Sequence, residues 1–202
     1  ATALTASGTN LFWYNVATGG TGSVTAPIPS TTTVGNTNYY VSQTSTSGCE
    51  SPRASITVNI NAAPTINAVS NQTVCTNTST APINFSGIGT NIFNWTNNNT
   101  VIGLAASGTG NIASFTASNN GTSPVVATIV VTPTFTNGGA GCPGSTKTFT
   151  ITVNPTAQVI QPANQVVCNG ATTSTITFTT NNTGGSTAYN WINSNAGIGI
   201  AA

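Results

Sequence analysis

Apolar and polar residues alternate with a period of two in several short stretches of the chain. The clearest stretch is TFTITV at residues 148–153, where Phe149, Ile151 and Val153 would face one side and three threonines the other. STITFT at residues 174–179 repeats this alternation. Such apolar faces must be buried against a second layer, so the pattern predicts packed β-strands.

Residue types support strands along the whole chain. Thr, Val, Ile, Ser, Asn and Gly dominate, and they favour strands and turns rather than helices. The run VVATIVVTPTF at residues 125–135 predicts a longer strand, bent at Pro133 because proline cannot donate to a central ladder. The pair Asn120–Gly121 predicts a tight hairpin between SFTAS and this strand. We therefore expect an all-β fold.

Two stretches recur at nearly the same spacing. NQTVC at residues 71–75 returns as NQVVC at residues 164–168, 93 residues later. FNWTNNNTVIGLAA at residues 93–106 returns as YNWINSNAGIGIAA at residues 189–202, 96 residues later. The additional residues fall in a Gly- and Asn-rich stretch, which predicts a loop, where insertions are tolerated.

The repeats divide the chain into modules. The sequence ITVN ends two segments, each of which follows a cysteine in a glycine-flanked turn. We predict the C-terminal part of one module at residues 1–61, a complete module at 62–155, and the first part of another at 156–202. A length of about 93 residues is typical of a small β-sandwich of about seven strands. The chain would then be part of a longer, extended rod whose first and last modules are incomplete.

Large aromatic residues are the natural core side chains of these modules: Trp13, Trp95, Trp191, Phe85 and Phe178. The stretches LFWYN at residues 11–15 and NYYVSQ at residues 38–43 have two interpretations. They are either two core strands of the first module or a platform on which a carbohydrate ring stacks; we favour the core. The threonine rows likewise form either ordinary solvent-facing strand surfaces, which we favour, or an ice-binding or self-associating surface.

Charge is almost absent from the chain. Glu50 is the single acid, Arg53 and Lys147 are the two bases, and there is no histidine. A net charge of +1 gives no basic face for nucleic acid or for an anionic membrane. No apolar run is long enough for membrane insertion.

The same scarcity limits the chemistry. Without histidine or paired carboxylates, general acid–base and nucleophilic catalysis have no candidates, so we predict that the chain is not an enzyme. Glu50 and Arg53 form at most a weak surface ion pair. Zinc is disfavoured by the lack of histidine and of a CxxC motif, and calcium by the lack of aspartate. We therefore expect no cofactor and no metal.

Cysteines mark equivalent places in the modules. Cys75 lies early in the complete module, and Cys142 lies late, 67 residues further on. The repeat predicts a Cys75–Cys142 disulfide, which would constrain the unfolded chain by about 4 kcal/mol. The partners of Cys49 and Cys168 would then lie outside residues 1–202. The alternative is four buried free thiols.

Particular phrases resemble known repeats. IGLAASGTG and KTFTITVNP resemble the PKD-like repeat of very large Bacteroidetes cell-surface proteins. WYNVATGG, YYVSQ and GCESPR in residues 1–61 are similar to the immunoglobulin-like module found beside it in such proteins. The resemblance implies tandem Ig-like and PKD-like β-sandwich modules.

The resemblance also implies a function. It points to a structural stalk segment of a giant secreted adhesin or surface filament, exported by the type IX system and used in attachment or gliding motility. Its partners would be neighbouring repeats of the same chain, with self-association and an unknown surface or glycan ligand left open. The alternatives are a glycan-binding module and a filament subunit whose terminal modules are completed by strand exchange. The expected location is extracellular, at the cell surface.

Overall fold

The computed structural model of the protein describes residues 1–90, 92–137 and 140–200. Strands make up 34% of the structure and helix 3%, which confirms the all-β prediction. The chain forms two compact units, Ala1–Ala62 and Ala63–Ala202. The division between the units lies next to the predicted module end at residue 61. The predicted border at residue 155 falls inside the second unit and stays a prediction.

The first unit is built on a three-stranded antiparallel sheet. Its strands are β1 (Leu11–Tyr14), β2 (Gly35–Gln43) and β3 (Ala54–Ile60), in the order β1-β2-β3. Trp13 lies opposite Val41 and is buried with it, whereas Tyr14 lies opposite Tyr40 on the other face. These stretches therefore form two strands, and Trp13 is buried as the favoured interpretation predicts.

The second unit contains a six-stranded sheet and two short 3₁₀ helices. The strands are β4 (Gln72–Cys75), β5 (Ile92–Asn97), β6 (Ser107–Thr109), β7 (Val125–Asn137), β8 (Ala140–Pro143) and β9 (Lys147–Asn154). Their order is β4-β9-β7-β5-β6, with β8 paired to the distal end of β7. The β4–β9 pair is parallel and all others are antiparallel. The 3₁₀ helices are Thr100–Ile102 and Ala196–Ile198.

The two longest strands provide the centre of the core. Phe149, Ile151 and Val153 of β9 are buried and alternate with threonines, as the sequence predicts. On β7, Ile129 faces the same side and lies opposite Phe149. Pro133 lies where the partner of β7 changes from β9 to β8, so its missing N–H interrupts neither ladder.

Extended segments form the layer that covers this sheet. Their buried side chains complete one hydrophobic cluster with the sheet: Ile66, Ile83, Phe85, Ile112 and Ala117. Backbone hydrogen bonds hold the segments together, such as the two exchanged by Ile83 and Ile112. The result is a two-layered β-sandwich.

The hairpin predicted at Asn120–Gly121 is wrong. The SFTAS stretch crosses to the covering layer, where the amide of Thr80 donates to the carbonyl of Phe115. Asn119 makes the turn instead: its buried side-chain oxygen accepts from the Gly121 amide, and its Nδ2 donates to the carbonyl of Val153. The side chain of Asn119, rather than a pair of hydrogen-bonded strands, therefore fixes the connection between the SFTAS stretch and β7.

Two local hydrogen-bonding features of residues 62–155 recur in residues 156–200. The side chain of Gln72 both donates to and accepts from the backbone of Ala81, and Gln165 does the same with Ser174. Asn99 caps the first 3₁₀ helix at φ −145°, and Asn195 caps the second at φ −142°.

Of the four predicted core aromatics in this unit, two are buried and the other two differ. Phe85 and Trp95 lie in the core. Phe178 is half-buried and stacks on Tyr189 with ring centroids 5.7 Å apart. Trp191 is 53% exposed, so its prediction as a core residue is wrong here. Trp95 is buried by the strands β7 and β9. Among the described residues, no pair of strands covers Trp191 in the same way.

Candidate functional site

The one carboxylate side chain of the protein lies in the first unit, against β1 and β2. Oε1 of Glu50 accepts a hydrogen bond from the Tyr14 hydroxyl at 2.6 Å and another from the Ser42 hydroxyl. Tyr14 and Ser42 are both buried. The carboxylate therefore satisfies two polar groups that would otherwise be costly to bury.

Arg53 completes this cluster from the other side of the tyrosine ring. Its guanidinium carbon lies 3.3 Å from the centroid of the Tyr14 ring, and its Nη1 donates to the carbonyls of Val16 and Gly19. The hydrogen bonds from Ser42 and Tyr14, and then the charge of Arg53, lower the pKa of Glu50 against an opposing effect of desolvation. Glu50 and Arg53 thus meet through Tyr14, an arrangement that sequence spacing alone did not indicate.

This arrangement ties the residues around Glu50 and Arg53 to β1 and β2. A carboxylate is a more effective general base when its pKa is raised towards the working pH, and the hydrogen bonds to Glu50 lower its pKa instead. The guanidinium is engaged by backbone carbonyls that hold residues 16–19 against the sheet. We name Tyr14, Ser42, Glu50 and Arg53 the charged cluster.

The aromatic residues considered for carbohydrate stacking are not brought together on one exposed surface. Trp13 is buried, while Tyr39 and Tyr40 are half-buried and, as neighbours on β2, point to opposite faces. Trp13 and Tyr39 line one cavity together with Pro27. A flat platform of several exposed rings is therefore not formed by these three residues.

The structure corrects the predicted Cys75–Cys142 disulfide. All four cysteines are free: Cys49, Cys75, Cys142 and Cys168. Cys75 lies opposite Asn154 at one end of the sheet, and Cys142 lies opposite Phe135 at the other. About ten residues of β7 separate the two ends, or about 30 Å. A disulfide requires Cα atoms within about 7 Å.

The alternative of four buried thiols is also wrong. Cys49, Cys75 and Cys168 are exposed, and Cys142 is half-buried. The repeat thus showed which cysteines hold equivalent places in the sequence, but not how far apart they lie in space. An early and a late position of one repeat can lie at opposite ends of the folded unit.

A joint of uncharged groups connects residues 62–155 to residues 156–200 within the second unit. Asn182 donates from Nδ2 to the carbonyls of Thr122 and Thr156, and its Oδ1 accepts from the Gln158 amide at 2.8 Å. The Thr183 amide also donates to Thr122, at 2.9 Å. This loop contains the residues that differ in number between the two repeats.

Small residues allow the joint to close. The Thr183 and Ser123 hydroxyls share a hydrogen bond. Gly184, at φ +75°, passes so close to Pro124 that a Cβ would lie 2.9 Å from its Cδ. Cys75 lines the cavity beside this contact. The joint therefore combines backbone, amide and hydroxyl groups without any ion pair in the bonds described.

Metal and membrane features can be examined only where the structure describes the chain. Within residues 1–90, 92–137 and 140–200, no group of three or more His, Cys, Asp or Glu side chains is placed to hold a metal ion. Over the same residues, no helix has the length and apolarity to cross a membrane.

Comparison with known proteins concerns the first unit. Residues 1–61 match the family model described as "Ig-like domain CHU_C associated". No curated protein matches the chain. The N-terminal region is thus similar to a Bacteroidetes-type Ig-like domain, and this similarity indicates an extracellular or surface protein with an Ig-like β-sandwich module.

Proposed function

We propose that this chain is a structural stalk segment of a large secreted adhesin or filament at the cell surface. The observation that carries the proposal is the joint at Asn182, where Asn182 Nδ2 and the Thr183 amide donate to the Thr122 carbonyl and so tie residues 62–155 to the residues that follow. A stalk requires successive modules to keep a fixed spacing, and this joint supplies direct bonds for that purpose. The Ig-like match of residues 1–61 and the resemblance of the following residues to PKD-like repeats support the same function.

The distribution of charge also supports a stalk. Glu50 and Arg53 are used within the charged cluster, and the joint is made from uncharged groups. Ionic strength has little to screen in such a chain. A stalk of this composition keeps its length over a wide range of salt, and the protein needs no charge to recognise its neighbours.

The resemblance extends the proposal to a biological setting. It supports a parent protein of the kind found among surface adhesins of Bacteroidetes, exported by the type IX system and used for attachment or gliding motility. In that setting the ligand-binding region lies elsewhere on the parent chain. The chain acts as a spacer and performs no reaction.

An in-frame deletion tests the stalk function. Removal of residues 62–154 from the parent protein should shorten its projection from the cell by about 40 Å, the length of a 13-residue strand such as β7. Attachment should persist, because the binding region is retained. Loss of attachment, with surface display of the remaining protein intact, would show that these residues bind the ligand themselves and would overturn the proposal.

Solution length gives a second test on the isolated chain. X-ray scattering should give the same maximum dimension at low and at high salt. A change in length with salt would show that charge does set the spacing, against the argument from composition.

A further inference from the structure

The first and the last strand of residues 62–155 are neighbours that run in the same direction. β4 pairs with β9 in parallel, and the register runs from Gln72 opposite Ile151 to Cys75 opposite Asn154. Every other pair among the strands that the structure describes is antiparallel. The direction of this one pair decides how the fold responds when its two ends are pulled apart.

The chain enters and leaves residues 62–155 at opposite ends of β9. At the entry, the carbonyl of Pro64 lies so close to Gly144 that a Cβ there would collide with it, just before β9 begins at Lys147. At the exit, β9 ends at Asn154. The length of β9 separates these two points by about 26 Å. Tension along the backbone therefore pulls β4 towards the entry and β9 towards the exit.

Further hydrogen bonds extend the parallel pair beyond both ends of β4. Before β4, Oδ1 of Asn71 accepts from the Thr150 amide at 2.8 Å. After β4, the Thr76 amide donates to the Asn154 carbonyl at 2.9 Å. On its other side β9 pairs with β7 over residues 147–153, so it cannot slide without breaking that ladder as well. We name the β4–β9 pair, together with the two additional bonds, the clamp.

The entering chain is also fixed before it reaches β4. Pro64 is fully buried, and the Thr65 amide donates to the Ile88 carbonyl at 2.9 Å. Gly87 permits this approach, because a Cβ there would collide with the carbonyl of Thr65. A pull on the entry therefore meets a buried anchor first and the clamp next.

We propose that residues 62–155 bear tension and that the clamp is the element that resists it. When two parallel strands are pulled in opposite directions along their axis, all the hydrogen bonds between them are loaded at once. A pull across the strands would instead open the bonds one after another. Resistance to force is set by the rate of unfolding rather than by the equilibrium free energy. The strength belongs to these residues alone, whereas its use in the cell rests on the proposed stalk function.

Force spectroscopy on the whole chain tests the proposal by pulling in two geometries. Handles at the two termini load the clamp along its strands. In the second geometry one handle is moved to the exposed thiol of Cys75, which lies opposite Asn154, so the pull opens the clamp from one end. Both samples carry Cys49→Ser, Cys142→Ser and Cys168→Ser. The rupture force should be at least about twofold lower in the second geometry, because the evenly spaced bonds no longer share the load.

The length released identifies the rupture of the clamp. When the termini are pulled, unfolding of residues 64–154 should extend the chain by about 290 Å, which is more than residues 1–62 can release. Equal rupture forces in the two geometries for this event would overturn the clamp.

A matched pair of variants locates the resistance. Asn71→Ala removes the bond to Thr150 within the clamp, and Asn94→Ala removes the bond to Thr134 between β5 and β7, outside the clamp. Both asparagines are exposed. With the termini held at constant force, Asn71→Ala should unfold at least about fivefold faster, and Asn94→Ala should unfold at the original rate. The same rate in both variants would overturn the proposal.

Failure of the clamp and failure of the stalk function are distinguishable. The in-frame deletion of residues 62–154 measures projection and attachment, and neither depends on the rupture force. A weak clamp with the expected loss of projection would refute this inference and leave the stalk function in place.

Discussion

The Tyr14 hydroxyl donates a 2.6 Å hydrogen bond to Oε1 of Glu50, while Arg53 lies on the face of the same tyrosine ring. One aromatic side chain thus joins the single acid of the protein to one of its two bases. Residues 36 positions apart in the sequence are connected by this bond. The two charged side chains of the first unit therefore hold the residues around them against Tyr14 of β1.

Acid should weaken the first unit selectively. The pKa of Glu50 is lowered below its ordinary value of 4.5 by its hydrogen bonds and by Arg53. A lowered pKa in the folded state contributes stability above the unfolded pKa, and this stability is lost as the pH falls through the folded pKa. Below about pH 4.5 the first unit should therefore lose stability. The second unit has no carboxylate side chain and should not change. Hydrogen exchange resolved by peptide measures both units in one sample.

Glu50→Gln is the control for this acid effect. It keeps an acceptor oxygen but removes the titration, so the first unit should become less stable at neutral pH and insensitive to acid. An acid response that persists in this variant would assign the effect to another group.

Sequence reasoning reached some of this structure and missed other parts for identifiable reasons. The alternation in residues 148–153 was sufficient to predict β9 and its buried face, since a period of two has one structural meaning. The charged cluster was not predictable, because the contact of Tyr14 with Glu50 depends on how a loop returns to β1. The repeat identified Cys75 and Cys142 as module markers, but a repeat carries no information on which end of a sandwich each marker occupies.

Turn prediction failed for a related reason. Asn120–Gly121 is a favourable local turn, but the side-chain amide of Asn119 donates both to the nearby Ser123 carbonyl and to the carbonyl of the distant Val153, and these contacts decide the path of the chain. Similarly, Trp191 has the sequence environment of a core residue. Its burial depends on strands far along the chain rather than on its neighbours.

Removing the Asn119 side chain should destabilise the second unit. Asn119 is buried, and its amide donates to the carbonyls of Ser123 and Val153 while its oxygen accepts from Gly121. Asn119→Ala leaves these groups unpaired, at a cost of about 1–3 kcal/mol. The exposed neighbour provides the matched control, since Asn120→Ala should change the free energy of unfolding by less than about 0.5 kcal/mol. Chemical denaturation of both variants measures the difference; equal effects would contradict this role for Asn119.

Gly108 should not tolerate a side chain. A Cβ there would lie 2.2 Å from Cζ2 and 2.6 Å from Cε2 of Trp95, which is held in the core. Gly108→Ala must displace the indole and should destabilise the second unit by about 1–3 kcal/mol. Gly185 has no atom within 4 Å of the same position, so Gly185→Ala should be neutral or slightly stabilising. Thermal unfolding compares the two, and a neutral Gly108→Ala would show that Trp95 can move without cost.

The joint at Asn182 should loosen when its amide is removed. Asn182→Ala deletes the acceptor of the Gln158 amide and the donors to Thr122 and Thr156. Exchange of the Thr183 amide, which donates to Thr122 across the joint, should accelerate by about fivefold or more, as expected for the loss of about 1 kcal/mol, while β7 and β9 keep their protection. Asn181→Ala, at the exposed adjacent position, should leave exchange unchanged. Accelerated exchange throughout the core would mean that Asn182 stabilises the module rather than the joint.

Cys75 and Cys142 should not form a bond with each other in the folded monomer. β4 holds Cys75 opposite Asn154, and β8 holds Cys142 opposite Phe135, so the thiols lie about 30 Å apart along β7. In a Cys49→Ser, Cys168→Ser background, mild oxidation should therefore leave both thiols free.

A short bismaleimide should label each thiol without joining them. Under denaturing conditions the same reagent should join them, because the unfolded chain lets its two sites meet. A Cys75–Cys142 peptide recovered without reduction from the folded monomer would contradict the register of β4, β7 and β8. Peptide mapping by mass spectrometry decides between these outcomes.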